Sequence, residues 1–234
     1  VMPSFNQAAY IERSILSVIN QGYKNLEFII IDGGSTDGTV DIIKQYEQYL
    51  SYWVSEKDAG QSDALNKGFV RATGEIFGWL NSDDVYLPDA FKNIVHAFNN
   101  HPNKSIVFGD WLSIDKNDQV IDRGYAFDFS LMHLEYEGWH LHPQSLFWRR
   151  HVHFHFGAFD TDLHTNMDYQ MVLCFARNEG ESVFFRVPEY LGCWRRHDDQ
   201  KTGYRFEQAK IESHRLEIRY GLKKKHTVLG KIVH

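Results

Sequence analysis

The chain has 234 residues, 43% of them hydrophobic and 15% aromatic, with a formal charge of −6. This supports one large domain or a domain with an appendage, and it excludes a general nucleic-acid binder, which would carry a basic face. Cys174 and Cys193 are the only cysteines. Two are too few for a disulfide framework, so they read as free thiols in a reducing, cytoplasmic setting. No apolar run reaches the length of a membrane span. Val1 rather than Met opens the chain, which leaves room for a targeting segment ahead of it.

Met2–Asn6 reads as the tail of a first strand and its loop. Ile11, Ile15, Val18 and Ile19 then mark one face of a helix over 8–20, closed by Gly22. Leu26–Ile31 is a β-branched run suited to a strand buried on both faces. The loop Asp32-Gly33-Gly34-Ser35-Thr36-Asp37-Gly38 leads to a helix that Asp37 can cap. Ser51–Ser55 is a short strand, Ser62–Arg71 a helix and Glu75–Leu80 the next strand. Alternating strands and helices predict an α/β fold with a mostly parallel sheet. Ligands of such sheets bind beyond the carboxyl ends of the strands. Ser4, Asp32, Asp58 and Asp83 all follow predicted strands, so four loops converge on one edge.

The second half is less regular. Ser105–Trp111 and Gln119–Gly124 read as strands around an Asp115–Asp118 turn, and Asp168–Arg177 as a helix. Ser182–Val187 reads as a strand and Arg205–Tyr220 as a polar helix. The expected division is a ligand-binding half over 1–110, an acceptor half over 111–204, and a helix with a basic tail over 205–234.

The most telling stretch is Glu75-Ile76-Phe77-Gly78-Trp79-Leu80-Asn81-Ser82-Asp83-Asp84. A buried strand that ends in two carboxylates sets like charges side by side, and a proton or a cation must relieve them. Magnesium or manganese would accept such oxygens together with substrate phosphates. A solvated acidic turn before the helix at Leu87-Pro88-Asp89 is the alternative.

Pro3-Ser4-Phe5-Asn6, Ile31–Thr39, Ala72-Thr73-Gly74-Glu75 and Asn81–Asp89 resemble, in this order, the motifs of family 2 glycosyltransferases. The resemblance implies a GT-A fold, a nucleotide-sugar donor, Mg2+ or Mn2+, and inversion at the anomeric carbon. Carried onto this chain, it implies that Pro3 and Ser4 contact the nucleoside and that Asp32 bonds the base, typically uracil. Asp58 and Gln61 would border the nucleotide, Asp83 would face the ribose or the metal, and Asp84 would ligate the metal. Asn166-Met167-Asp168-Tyr169-Gln170 resembles the segment that carries the catalytic base, which assigns that role to Asp168. Asn81 stands where many relatives have Asp, and Met167 where many have a second acid. The Gln-x-x-Arg-Trp motif of processive members is replaced by Cys193-Trp194-Arg195-Arg196-His197, which implies transfer of single sugars. The resemblance therefore implies a UDP-linked donor and a glycan or lipid-linked acceptor for a surface polysaccharide or glycolipid.

The remaining assignments come from chemistry. His197 is a candidate third metal ligand, and Arg195 and Arg196 are candidate partners of the leaving diphosphate. His142 lies in an acceptor-side loop. Trp111, Trp139 and Trp148 are candidate sugar platforms. His151, His153 and His155 would share one face of a strand, but they lack the usual zinc spacing. Lys223–Lys225 offer peripheral contact with an anionic membrane surface worth about 1 kcal/mol per charge. Two rivals stand beside the transferase: a nucleotide-sugar-binding module without activity, and a nucleotidyltransferase. The second would want a basic, Gly-rich loop after the first strand, which Ser4–Ala8 is not.

Overall fold

The computed structural model describes residues 1–137, 141–201 and 206–222. Its first half alternates as expected: β1 (Met2–Ser4), α1 (Ile11–Ile19), β2 (Ile29–Asp32), α2 (Thr39–Gln45), β3 (Tyr52–Ser55), α3 (Gln61–Arg71) and β4 (Ile76–Gly78). There follow β5 (Val85–Tyr86), α4 (Ala90–Asn100), β6 (Ile106–Ile114), β7 (Val120–Gly124) and α5 (Leu131–Glu137). The chain continues with β8 (Leu146–Arg149), α6 (Arg150–Phe156), α7 (Met167–Glu179), β9 (Phe184–Arg195) and α8 (Phe206–Tyr220).

β1, β2 and β3 form a parallel sheet in which Ser4, Asp32 and Ser55 stand in register at the carboxyl ends. The second sheet runs β4-β8-β6-β9-β5, with β7 on β6. It is mixed: only β6 and β9 pair in parallel. The two sheets meet where the Val1 nitrogen donates to the Gly78 carbonyl and Leu80 N–H donates to the Val1 carbonyl.

Side chains alternate across a strand, and here both faces are covered. Ile29, Ile31, Phe77, Ile106, Phe108, Leu146 and Trp148 pack under α3, α6 and α7. Met2, Ile30, Val107 and Phe147 pack on the other side against Ile11 and Ile15 of α1 and Ile94 and Phe98 of α4. Most of α7 between Met167 and Ala176 is buried.

Three expectations change. His151, His153 and His155 lie on the helix α6, not on a strand. His153 turns into the core against Phe69, while His151 and His155 meet one turn apart on the outside. A 3.6-residue period splits what a period of two would align. Trp148 is fully buried and belongs to the core rather than to a sugar platform. β9 runs to Arg195, well past Val187. Pro188 lacks an N–H and reads as a strand breaker. A bulge opposite Phe108–Asp110 absorbs it and lets pairing resume at Tyr190. That continuation carries Arg195 to the acidic turn, since Cys193 pairs with Val85. Trp139 and Lys223–Lys225 lie outside the described residues. No helix among those described is long and apolar enough to cross a membrane.

Candidate active site

Asp32 ends β2 and is fully buried. Its carboxylate accepts from Gly34 N–H (3.1 Å), Ser35 N–H (2.9 Å), the Ser35 hydroxyl (2.5 Å) and the Ser55 hydroxyl (2.7 Å). Three of these bonds fall on Oδ2 and one on Oδ1, and together they let the carboxylate fix the Gly-Gly-Ser loop from below. The loop after β1 is tied to the same place. Asn6 N–H donates to the Ser35 hydroxyl, Thr36 N–H donates to Asn6 Oδ1, and Gly33 N–H donates to the Ser4 carbonyl. Ser4 is buried, and its hydroxyl has no partner. Pro3 is buried beside it.

Asp58, in the loop after β3, leans over Gly33. A Cβ built on Gly33 would stand 2.8 Å from Asp58 Oδ2. The missing side chain is what makes room for the carboxylate. Asp58 Oδ1 accepts from Gly60 N–H at 2.8 Å, and burial pushes the carboxyl above its ordinary range.

The acidic pair divides its work. Asp84 is buried at 1% exposure and turns inward. It accepts from Arg195 N–H (2.9 Å) and from Asn81 Nδ2 (3.2 Å). Burial, and then the neighbouring Asp83 charge, raise its carboxyl well above the usual range. Asp83 turns the other way, and its Oδ2 stands 3.1 Å from His197 Nε2. Tyr10 covers His197 with ring centroids 4.4 Å apart. The Asn at position 81 follows from this arrangement. Its amide donates to Asp84 while its oxygen accepts from Trp79 Nε1 and Gln61 Nε2, both at 2.7 Å. A carboxylate there would face Asp84 with like charge.

Arg195 does not reach outward either. Its side chain is fully buried beneath the acidic turn. Nε donates to the Asp83 carbonyl (2.7 Å), and Nη1 donates to the Asp115 carbonyl (3.1 Å) and to Asp118 Oδ1 (2.6 Å). The expected diphosphate contact is therefore not available to Arg195. Arg196 is the half-exposed neighbour, stacked over Trp194 at 4.9 Å. His142 packs between Trp111 and Trp194, with burial and then the Arg196 charge lowering its pKa to about 4, so it is neutral at pH 7.

Asp168 occupies the first turn of α7 and is half-buried. Tyr169 N–H donates to it at 2.8 Å. Burial pushes its carboxyl up to about 6, against that hydrogen bond and the charge of Lys201. The start of α7 sits against the start of α3. The Ser62 hydroxyl donates to the Leu163 carbonyl and lies 3.5 Å from Met167 Sδ. Lys201 Nζ donates to Gln61 Oε1 at 2.9 Å, and Gln61 continues to Asn81. A polar chain therefore joins the surroundings of Asp168 to the acidic turn.

The model of glycosyl transferase family 2 matches residues 1–161, more than half of the chain. The chain belongs to that family. It is 31% identical over 220 residues to an uncharacterised glycosyltransferase of Rickettsia typhi, covering 89% of this chain and 66% of the relative. A glycosyltransferase of Nostoc is 33% identical over 126 residues, covering 53% of this chain and 39% of the relative. The chain thus spans less than two thirds of these relatives' length. Among solved structures it resembles Staphylococcus aureus TarS 1-349 in complex with UDP-GlcNAc, with TM-score 0.74, 16% identity, and coverage of 92% and 63%. It also resembles a Pyrobaculum calidifontis mannosyltransferase in complex with GDP-Man and Mn2+, with TM-score 0.69, 19% identity, and coverage of 93% and 63%. Glucosyl-3-phosphoglycerate synthase of Mycobacterium tuberculosis, solved with Mn2+ and UDP, gives TM-score 0.63 at 17% identity, covering 96% of this chain and 80% of that one. The fold is the GT-A fold of these glycosyltransferases.

Among the residues that the motifs alone leave without a role, two stand out in this family 2 chain. Phe5 is 59% exposed on the loop beside Ser4. Asn81 holds Asp84, Gln61 and Trp79 together. The Asn81 network depends on which way each side chain turns.

Proposed function

We propose that the chain transfers a single sugar from a UDP-linked donor to a hydroxyl of a glycan or lipid-linked acceptor, with inversion. The observation that carries this reading is Asp168: a carboxylate near pKa 6, with one backbone hydrogen bond, on a helix whose lead-in segment packs on the start of α3. A base must be ionised at working pH yet basic enough to take a proton. In the proposed step the acceptor hydroxyl gives its proton to Asp168 while its oxygen bonds to the anomeric carbon. The bond from that carbon to the diphosphate breaks, and the electron pair leaves with UDP.

On the donor side, the internal hydrogen bonds of Asp32 favour Asp58 as the group that would meet the base, with Phe5 as its stacking surface and Ser4 on the neighbouring loop. Uracil presents one N–H between two carbonyls, which suits a single carboxylate acceptor. UDP-GlcNAc and UDP in the neighbours' structures support uridine, and GDP-Man in another marks the alternative that the assay must include. Gly33→Ala should displace Asp58 while changing stability by less than about 1 kcal/mol. Calorimetric titration should show UDP bound roughly tenfold more weakly, as expected for one lost charged hydrogen bond. Unchanged affinity would remove Asp58 from the base site.

Asp83 and His197, not Asp84, would hold the divalent ion. Their facing atoms are 3.1 Å apart, close to the roughly 3 Å between adjacent ligands of an octahedral ion with bonds of about 2.1 Å. Among the described residues no third His, Cys or acidic ligand joins them, so water and donor phosphates would complete the shell, as is usual for such ions. When bound, the ion would offset the charge that gathers on the departing diphosphate. An imidazole ligand favours manganese over magnesium. Asp83→Asn should weaken Mn2+ binding at least tenfold with little change in thermal midpoint. Asp84→Asn turns an amide N–H2 toward the Asn81 donor but also removes a charge that burial disfavours, so the thermal midpoint should move little, with Mn2+ affinity within a few-fold of the parent. The reverse pattern would return the metal to Asp84.

Product-nucleotide release from a panel of UDP- and GDP-sugars, with Mn2+ and Mg2+ compared, tests the activity. NMR of the new anomeric proton tests inversion. Silence across the panel, or a retained configuration, would overturn the reading.

A further inference from the structure

Glu212 lies on α8, beyond the residues that the family model matches. It is fully buried, as is Leu216 on the same helix. An unpaired carboxylate does not go there without a set of donors. One donor is Gln208 Nε2 of the same helix, at 2.9 Å from Oε1, and the others come from the segment that leads into α7. Oε1 accepts from His164 N–H (2.9 Å). Oε2 accepts from Thr165 N–H (2.8 Å), the Thr165 hydroxyl (2.8 Å) and Asn166 N–H (3.1 Å). Asn166 in turn donates through Nδ2 to the Ala209 carbonyl at 2.9 Å. Consecutive N–H groups converging on one anion form a nest. This nest ends at the residue that precedes α7, and Asp168 is two residues further on.

We propose that Glu212 is a positioning residue for Asp168: it clamps residues 164–166 and thereby fixes the first turn of α7. α3 holds the same segment from the other side, through Ser62 on the Leu163 carbonyl and Asn66 on both the N–H and the carbonyl of Phe159. The first turn of α7 is thus set between two helices, and Glu212 supplies the charged half of the grip. A displacement of about 1 Å in a reacting group costs on the order of 100-fold in rate, so a clamp two residues from the base acts on turnover. The charged groups that face Asp168 are Lys201 and Glu212. The Glu212 charge adds to the upward push on the Asp168 carboxyl, so its removal should carry the acid limb of the rate profile downward.

The inference rests on the role proposed for Asp168, and its test separates the two. The probe is UDP release from whichever UDP-sugar turns over, with Mn2+ present, alongside calorimetric titration with UDP. Glu212→Gln places an amide N–H2 against backbone donors. It should lower kcat about 10- to 100-fold, leave UDP affinity within about twofold, and shift the acid limb to lower pH. Glu212→Asp keeps the charge on a shorter arm. It should recover part of kcat, leave the acid limb in place, and serve as the readout should the Gln variant fold poorly. Unchanged kcat in both variants would overturn the clamp, as would a parallel fall in UDP affinity and turnover, the mark of a helix that merely staples the domain. If Asp168→Asn retains full turnover, the base assignment itself falls. If Asp168→Asn is inactive while both Glu212 variants are fully active, only the clamp falls.

Discussion

Asp168→Asn should abolish transfer and make the protein more stable. The carboxyl sits near pKa 6 because burial disfavours its charge. An unfolded Asp ionises near 3.9. Its folded pKa is raised, so the folded state binds its proton more tightly. At pH values above both, the native state therefore bears a penalty that disappears as pH falls below about 4. The gap between the folded and unfolded values corresponds to about 3 kcal/mol at most, and partial exposure reduces that to roughly half. Asparagine keeps the shape and removes the charge, so the thermal midpoint at pH 7.5 should rise by a few degrees. Turnover should fall by roughly 100- to 10,000-fold, the usual worth of a general base, and UDP should bind as before. With Asp168 as the proposed base, kcat of the parent protein should drop tenfold for each pH unit below about 6. A variant that is both active and no more stable would show that Asp168 is an ordinary helix-start acid.

Arg195→Met should unfold the protein more readily than a change at any other candidate site. The guanidinium has no exposed surface, and it joins the acidic turn to the turn at Asp115–Asp118. Removing one partner of a buried ion pair costs roughly 3 kcal/mol. Asp118 is 44% exposed and keeps Arg13 as a second partner, which holds the cost at the lower end. In a chain of this size that is a fall of about 6–12 °C in midpoint. Because Nε holds the Asp83 carbonyl, Mn2+ binding should weaken as well. Arg195→Lys keeps the charge without the fork and should fall between. Differential scanning calorimetry with and without Mn2+ measures both effects. A midpoint within about 2 °C of the parent would mean that the brace is idle.

The first hundred residues are legible because their signals are local. Ile11, Ile15 and Val18 repeat at helical spacing and do face the core. The run before Asp32 is buried on every residue of its strand. Loops that follow strands gather at one edge, and Ser4, Asp32 and Ser55 stand in line there. What is not legible is the direction in which side chains turn. Asp83 and Asp84 are adjacent and chemically identical, yet one faces His197 and the other the backbone of Arg195. Nothing in their spacing distinguishes them. Arg195 and Arg196 alternate along a strand, so one must be inside and the other outside. Choosing between them requires knowing that β9 continues past Pro188. The Glu212 nest joins residues nearly fifty positions apart, and no periodicity reports a contact of that range. His153 misleads for a simpler reason: alternation at every second residue means a shared face only on a strand, and this segment is helical.

The way Asp32 is used bears on how such a protein can change its donor. Its oxygens are turned toward its own loop and β3, so the shelf beneath the proposed nucleoside site is indifferent to what rests upon it. On the donor site proposed above, selectivity is left to the rim, to Phe5 and to Asp58, which also holds Gly60 N–H. Retuning from one nucleobase to another would then need few substitutions and leave folding intact, whereas altering Asp32 would dismantle the shelf for every ligand alike.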